Sequence, residues 1–416
     1  VSAPHTEQGR RRFSARGTFA SLQHPNYRLW FFGQMFSLVG TWMQSTAQGY
    51  LVYELTGSPQ YLGYVSFAAG LPSWLFMLYG GLVADRVPRR SLLIVTQAAM
   101  MLLAFGMAAL KFTGLIQAWM VVLMAFLLGI VNAFDAPARM VFVNELVDRK
   151  DLTNAIALNA TMFNSAMAVG PAVGGLTYAA VGAEWCFVLN GISYLAVITA
   201  LMLMRIRAGA PAAVERSPLK GIQEGIRYVA RQKVVRTVIL NVFMVSLFGI
   251  SFVTLMPAWA VNVLGGDATT NGYLQSARGI GALAGALMLA TLSGMVPKGR
   301  LITIGSFIFP AMLLIFSRVD YLPLSLLMLL GIGLGYMLFI NTSNALVQGL
   351  VPDELRGRVM SIYTLTFFGF MPIGALLAGA VAERIGSPAT VLYGAVISLA
   401  YFGLVFWRVP ALRRSE

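Results

Sequence analysis

The sequence holds one cysteine, Cys186, and two histidines, His5 and His24, among 416 residues. A lone cysteine cannot close an intramolecular disulfide, and both histidines precede the first apolar run, so no imidazole lies within one to do chemistry. Charge is scarce as well. Asp, Glu, Lys and Arg make up 11% of the chain, against about a quarter in soluble domains, so a water-soluble globular fold is not expected. There is no HExxH, no GxSG element and no second acid within an apolar run to make a dyad, so an intramembrane enzyme lacks its catalytic groups. No GxxxxGK[ST] loop is present, which removes an ATP-driven pump. No metal and no cofactor is expected.

What the chain has in quantity is apolar length. Hydrophobic residues make up 58% of it and glycines number 42, a combination that suits membrane helices, where small residues let backbones approach. A helix needs about 20 mostly apolar residues to cross the hydrocarbon. Twelve such runs are expected, over 29–53, 60–83, 91–113, 117–138, 153–181, 185–205, 234–263, 271–296, 301–317, 321–348, 356–382 and 388–407. With that numbering 26 of the 30 Lys and Arg fall on the side of the two tails, three (Lys111, Arg318 and Arg384) fall opposite, and Arg278 lies inside a run. The asymmetry follows the positive-inside rule and predicts both termini in the cytoplasm. The net charge of +14 is then explained by loops facing anionic lipid, and nucleic acid is not expected as a partner.

The chain also repeats itself. Leu62 to Pro72 aligns without gaps to Asn271 to Gly281, a shift of 209 that also pairs Val87, Pro88 and Arg89 with Val296, Pro297 and Lys298. A shift of 204 sets Leu146, Val147, Phe163, Met167, Gly170 and Gly175 on Leu350, Val351, Phe367, Met371, Gly374 and Gly379. Spans 2 and 5 recur as spans 8 and 11, so each repeat has an even number of spans and both halves share one orientation. The expected fold is an all-α membrane protein of 12 transmembrane helices in two pseudo-symmetric six-helix bundles. Its parts are a cytoplasmic tail over 1–28, a bundle over 29–206, a basic linker over 207–233, a bundle over 234–408 and a tail over 409–416. The linker is expected to hold an amphipathic helix near Leu219 to Val229.

Four segments resemble the major facilitator superfamily. The loop GLVADRVPRR, Gly81 to Arg90, is similar to its cytoplasmic signature, with Gly81, Asp85, Arg86, Arg89 and Arg90 in register and Pro88 where glycine is more usual. The resemblance implies a latch, in which Asp85 faces the positive end of helix 11 near Arg356 and Gly357, with Arg139 of helix 4 as the cation. Closing it would stabilise the outward-open state. At the position answering to Asp85 the second half has Gly294, so one latch is expected. The run AVGPAVGG looks like the antiporter motif, with Gly170 and Pro171 followed by Gly174 and Gly175; an export direction is what the resemblance implies, while physically the small residues are first a packing surface. The stretches Ala133 to Asn159 and Gln348 to Ser361 resemble the branch of siderophore and macrolide exporters that includes the enterobactin exporter.

In this superfamily helices 1, 4, 7 and 10 line the cavity, so the candidate substrate contacts are Gln34, Thr41, Gln44, Ser45, Gln48, Asn132, Asn241, Asn341 and Asn344. For each amide the alternative is a bond between helices. Arg278 stands where the first repeat has Ala69; it either marks the pathway, compensated by an anionic substrate or by Asp135, or snorkels to a helix end. Asp135 and Glu54 are the candidate coupling carboxylates. Asp135 either pairs with Arg139 four residues on or, because of Pro137, caps a new helix start.

The expected protein is a monomeric secondary transporter in the cell membrane. It exports a small amphipathic molecule, such as a siderophore or drug, by alternating access, and the resemblance implies protons as a coupling partner. A lysophospholipid flippase or an uncoupled facilitator is the alternative.

Overall fold

The computed structural model describes residues 19–205, 218–292 and 295–413. Gly294 and the tails beyond these limits lie outside the described residues. Twelve long helices follow one another. The first six are α1 (Pro25–Thr56), α2 (Pro59–Arg86), α3 (Arg89–Phe112), α4 (Ala118–Phe142), α5 (Leu152–Val181) and α6 (Ala183–Leu203). After the linker helix Pro218–Arg231, α7 covers Lys233–Asn262, and α8 (Ala268–Leu292), α9 (Lys298–Phe316), α10 (Leu322–Leu350), α11 (Asp353–Ile385) and α12 (Ser387–Arg408) complete the second bundle. The helix α7 is uneven: Lys233–Met244 passes through a π turn at Val245–Gly249 and a 3₁₀ stretch at Ile250–Leu255 before resuming at Met256–Asn262.

Proline and glycine set the ends. Pro25, Pro59 and Pro388 stand in first turns, where the missing N–H has no intrahelical partner to lose. Gly182 (φ 99°) joins α5 to α6 and Gly386 (φ 82°) joins α11 to α12, both in a region that side chains avoid. They are 204 residues apart, so the same turn is used twice. Asp353 and Glu354 occupy the first turn of α11, directly after Pro352.

Among the described residues nine helices are long and apolar enough to cross a membrane alone, and α2 makes a tenth if its bent parts Pro59–Phe76 and Tyr79–Arg86 count as one span. The helices α1 and α8 fall short because they carry polar residues along faces turned into the protein: Gln34, Gln44 and Gln48 on α1, Asn271, Ser276 and Arg278 on α8, all buried.

The repeat is visible in three dimensions. Within the first bundle Gly129 of α4 packs on the carbonyl of Ala69 in α2; within the second, Gly333 of α10 packs on the carbonyl of Arg278 in α8. Between bundles, Gly63 lies against the carbonyl of Ala375 and the Cα of Gly379, while Gly272 lies against the carbonyl of Pro171 and the Cα of Gly175. Each pair is related by the shifts read from the sequence. The halves therefore meet along two equivalent crossings, α2 on α11 and α5 on α8, where glycines let the backbones approach closely, with the Pro372 ring against Gly70 and the Trp74 indole against Gly369 in the first of them.

The crossings hold at one end only. We call the rim bearing the starts of α1 and α7 the tail rim, and the opposite one the far rim. At the far rim Glu383 accepts from Ser58 Oγ at 2.7 Å and from the Gln60 backbone N–H at 3.2 Å, and Asn262 Nδ2 donates to Tyr53 Oη at 2.6 Å. Deeper in, Ser66 and Thr254 hydroxyls meet at 3.3 Å, and Ser276 Oγ accepts from the Ala172 N–H at 2.8 Å. Toward the tail rim a Cβ added at Gly81 of α2 or at Gly357 of α11 would meet nothing within 4 Å, and no hydrogen bond or ion pair joins α2 to α11 there among the described residues.

Candidate functional site

Asp85 sits at the tail end of α2, 3.6 Å from Arg89, which also pairs with Glu145 after α4. Arg90 donates to the Met202 carbonyl at 2.9 Å, and Arg86 is exposed. Arg356 pairs with Asp353 at 2.5 Å and donates to the Gln348 carbonyl at 3.1 Å. The expected contacts of Asp85 with helix 11 and with Arg139 are thus absent. Asp85 and Arg356 each have a partner close by on their own stretch of chain instead. Glu145, which satisfies Arg89 instead, was not foreseen; its signal was its place in a loop on the basic side.

The charged centre of the first bundle lies deeper. Asp135 is fully buried on α4, and its Oδ1 accepts from Thr96 Oγ1 at 2.8 Å and from Gln97 Nε2 at 2.9 Å, both on α3. Arg139 Nε lies 3.6 Å from Oδ2, which accepts no hydrogen bond. The helix runs through Pro137 to Phe142, so of the two alternatives for Asp135 the new helix start does not occur and the pair with Arg139 does. Thr96 and Gln97 were missed because the cavity was sought on helices 1, 4, 7 and 10. A polar dipeptide inside an apolar run was the available signal. The other candidate acid, Glu54, is exposed near the far rim and accepts from the Tyr178 hydroxyl.

Several expected cavity amides are turned elsewhere. Gln44 Oε1 accepts from Asn190 Nδ2 at 2.7 Å, and Gln48 Nε2 donates to the Val121 carbonyl at 3.3 Å, so both tie helices of the first bundle together. Asn241 is buried beside Thr303, Ser306 and Phe402, in a crevice between α7, α9 and α12. Thr41 donates to the Ser37 carbonyl of its own helix at 2.8 Å, while Asn344 accepts from Gln348. Gln34 is buried with Nε2 unpaired, Asn132 is half-buried one turn before Asp135, and Ser45 and Asn341 are exposed. The α5 motif is a two-sided packing surface. Gly170 and Gly174 meet the α1 backbone at Val39 and Met43, and Gly175 meets α8.

Arg278 is the counterpart of Asp135 in the second bundle. These two are the buried charged side chains among the described residues. No ion pair joins them, so the partnership considered from the sequence is not formed, and Arg278 lies instead beside Tyr336 of α10. No cluster of three or more His, Cys, Asp or Glu able to hold a metal occurs among the described residues.

A two-bundle helical fold with paired crossings is shared with known proteins, and residues 16–416 match the model of one family, described as transmembrane secretion effector. The chain belongs to this family of the major facilitator superfamily. It is a multi-pass membrane transporter and not an enzyme. Relatives are the staphyloferrin A transporter of Staphylococcus aureus (26% identical over 86% of this chain and 90% of that one) and the multidrug efflux pump Tap of Mycolicibacterium fortuitum (27%, over 88% and 91%). The enterobactin exporter EntS of Escherichia coli is 26% identical over 86% and 85%. The solved nucleoside transporter NupG superposes with a TM-score of 0.71 over 95% of this chain and 100% of its own at 14% identity, a likeness of fold.

Proposed function

We propose that this transporter exports a small amphipathic molecule across the cell membrane by alternating access, with both termini in the cytoplasm. The observation that carries the proposal is the pair of equivalent crossings, closed by hydrogen bonds at the far rim and parted at the tail rim. A duplicated bundle joined along two symmetric seams can roll about them, presenting the space between the halves first to one side and then to the other. With the basic rim in the cytoplasm, this arrangement would correspond to the inward-open state. In the outward-open state the tail rim closes, and Asp85 reaches the start of α11 near Gly357. The export direction and the substrate class are supported by what the relatives' names state of those proteins, siderophores and drugs.

Proton antiport is assigned to Asp135. Its position suits the role, being buried with one oxygen held by two donors and the other facing Arg139 across 3.6 Å. Protonation would release Arg139, and a carboxyl that alternates between neutral and paired states links proton occupancy to the geometry of α4. Uptake of siderophores, macrolides, cationic dyes and lysolipids into everted vesicles, with and without a proton gradient, tests the reading. Uptake that stops when the gradient is collapsed supports antiport. Uptake indifferent to the gradient removes the coupling, and movement of lysolipids alone replaces export of drugs or siderophores with lipid transport.

A further inference from the structure

Arg278 occupies a position that helix stability does not explain. Along α8 the residues Tyr273, Ile280 and Leu287 repeat every seventh position and are exposed, which is the lipid-facing stripe. Asn271 and Arg278, also seven apart, lie with the half-buried Gln275 on the opposite face, turned into the protein, with Asn271 fully buried and Arg278 7% exposed. Neither amide atom of Asn271 has a hydrogen-bond partner, and neither has Arg278 Nε. The guanidinium makes no ion pair or hydrogen bond among the described residues. Its neighbour Tyr336 supplies a hydroxyl and no charge.

The repeat shows that this cation is peculiar to one half. In the first bundle the position is Ala69, which is exposed and three residues from Ser66, whose hydroxyl meets Thr254 of the other half. The buried acid of that bundle, Asp135, answers to Phe339 in the second, so the bundle that holds the arginine has no buried carboxylate among its described residues. Asp135 itself is committed to Thr96, Gln97 and Arg139. A buried cation without a counter-ion is expensive, and such residues inside a membrane protein face a pathway.

We propose that Arg278 is the anchor for a carboxylate on the transported molecule, and that it sets a preference for amphipathic acids over their neutral analogues. The inference rests on the export reading and refines its substrate class. A guanidinium presents two parallel N–H donors to the two oxygens of a carboxylate, a fit that an ester cannot reproduce. Asn271, two turns away on the same face with both amide atoms free, offers a second polar contact for a longer molecule.

The test compares one fluorescent skeleton in two forms, 11-(dansylamino)undecanoic acid and its methyl ester, bound to the purified protein in lipid nanodiscs. The ratio of acid to ester affinity is expected to fall about tenfold in Arg278→Ala and Arg278→Gln, the loss of one charge-assisted contact, with ester binding unchanged. Arg278→Lys should retain part of the preference. Unchanged ester binding also reports that the variants are folded. An unaltered ratio, or an equal loss of both ligands, overturns the proposal. Binding is measured without flux, so a chain that loses its acid preference with Arg278 yet moves no substrate in vesicles would disprove export while leaving the anion site standing.

Discussion

At the scale of single residues, the two buried charges do opposite things to stability. Asp135 is held by two donors and a cation, so replacing it leaves Thr96, Gln97 and Arg139 without their acceptor. Asp135→Asn keeps one acceptor oxygen for those donors but cannot titrate, and gradient-driven uptake should fall at least about tenfold while exchange of substrate without a gradient persists. Vesicle flux in the two regimes measures this; loss of both together would mark Asp135 as structural. Arg278 is the reverse case. Its desolvation is uncompensated, so Arg278→Leu should raise the melting temperature of the detergent-solubilised protein, relieving a cost of about 2–3 kcal/mol for an arginine at membrane depth. A thermal melt that drops instead would mean an unseen partner. Stability given up at a binding group is a common pattern where sites must meet a charged ligand.

At the scale of helices, the glycine crossings are the sensitive features. A Cβ on Gly175 would lie 2.5 Å from the Ala268 carbonyl oxygen and 3.0 Å from the Gly272 Cα, both backbone atoms that cannot turn aside. Gly175→Val should therefore spread α5 from α8 at a cost of roughly 1–3 kcal/mol and abolish transport, whereas Gly81→Ala, with open space around it, should leave folding unchanged. Comparing the two in expression and melting assays checks the assignment. The glycines of these crossings were legible in the sequence as a repeated packing surface, kept in register by shifts of 209 and 204, but which helices they bring together was not. The twelve runs and their even partition were legible, being set by bilayer thickness. The targets of the amides were not. Gln44 could face a cavity or Asn190 with the same helical spacing, and only the relative rotation of α1 and α6 decides. The partners Thr96 and Gln97 were hidden because a hydrogen bond between neighbouring helices leaves no period along either. Asp85 lies beside Arg89, four residues on, and its contact with α11 is what the proposed outward-open state would form.

At the scale of the whole molecule, the parted tail rim makes a direct prediction. With Cys186 replaced by alanine, cysteines at Gly81 and Gly357 should crosslink when the transporter is outward-open and resist crosslinking in the state seen here. Trapping the crosslink should stop turnover, and reduction should restore it. A crosslink that leaves flux untouched would rule out rolling of the two bundles. One property of the seams bears on how such a motion proceeds. Where glycine faces a carbonyl there is no side chain to re-sort, but the Pro372 ring against Gly70, the Trp74 indole against Gly369 and the Ser66–Thr254 contact lie in the same seams, so the barrier to changing state is expected to be shared between these few contacts and the polar clasp at the far rim, and their composition would set how fast the protein cycles.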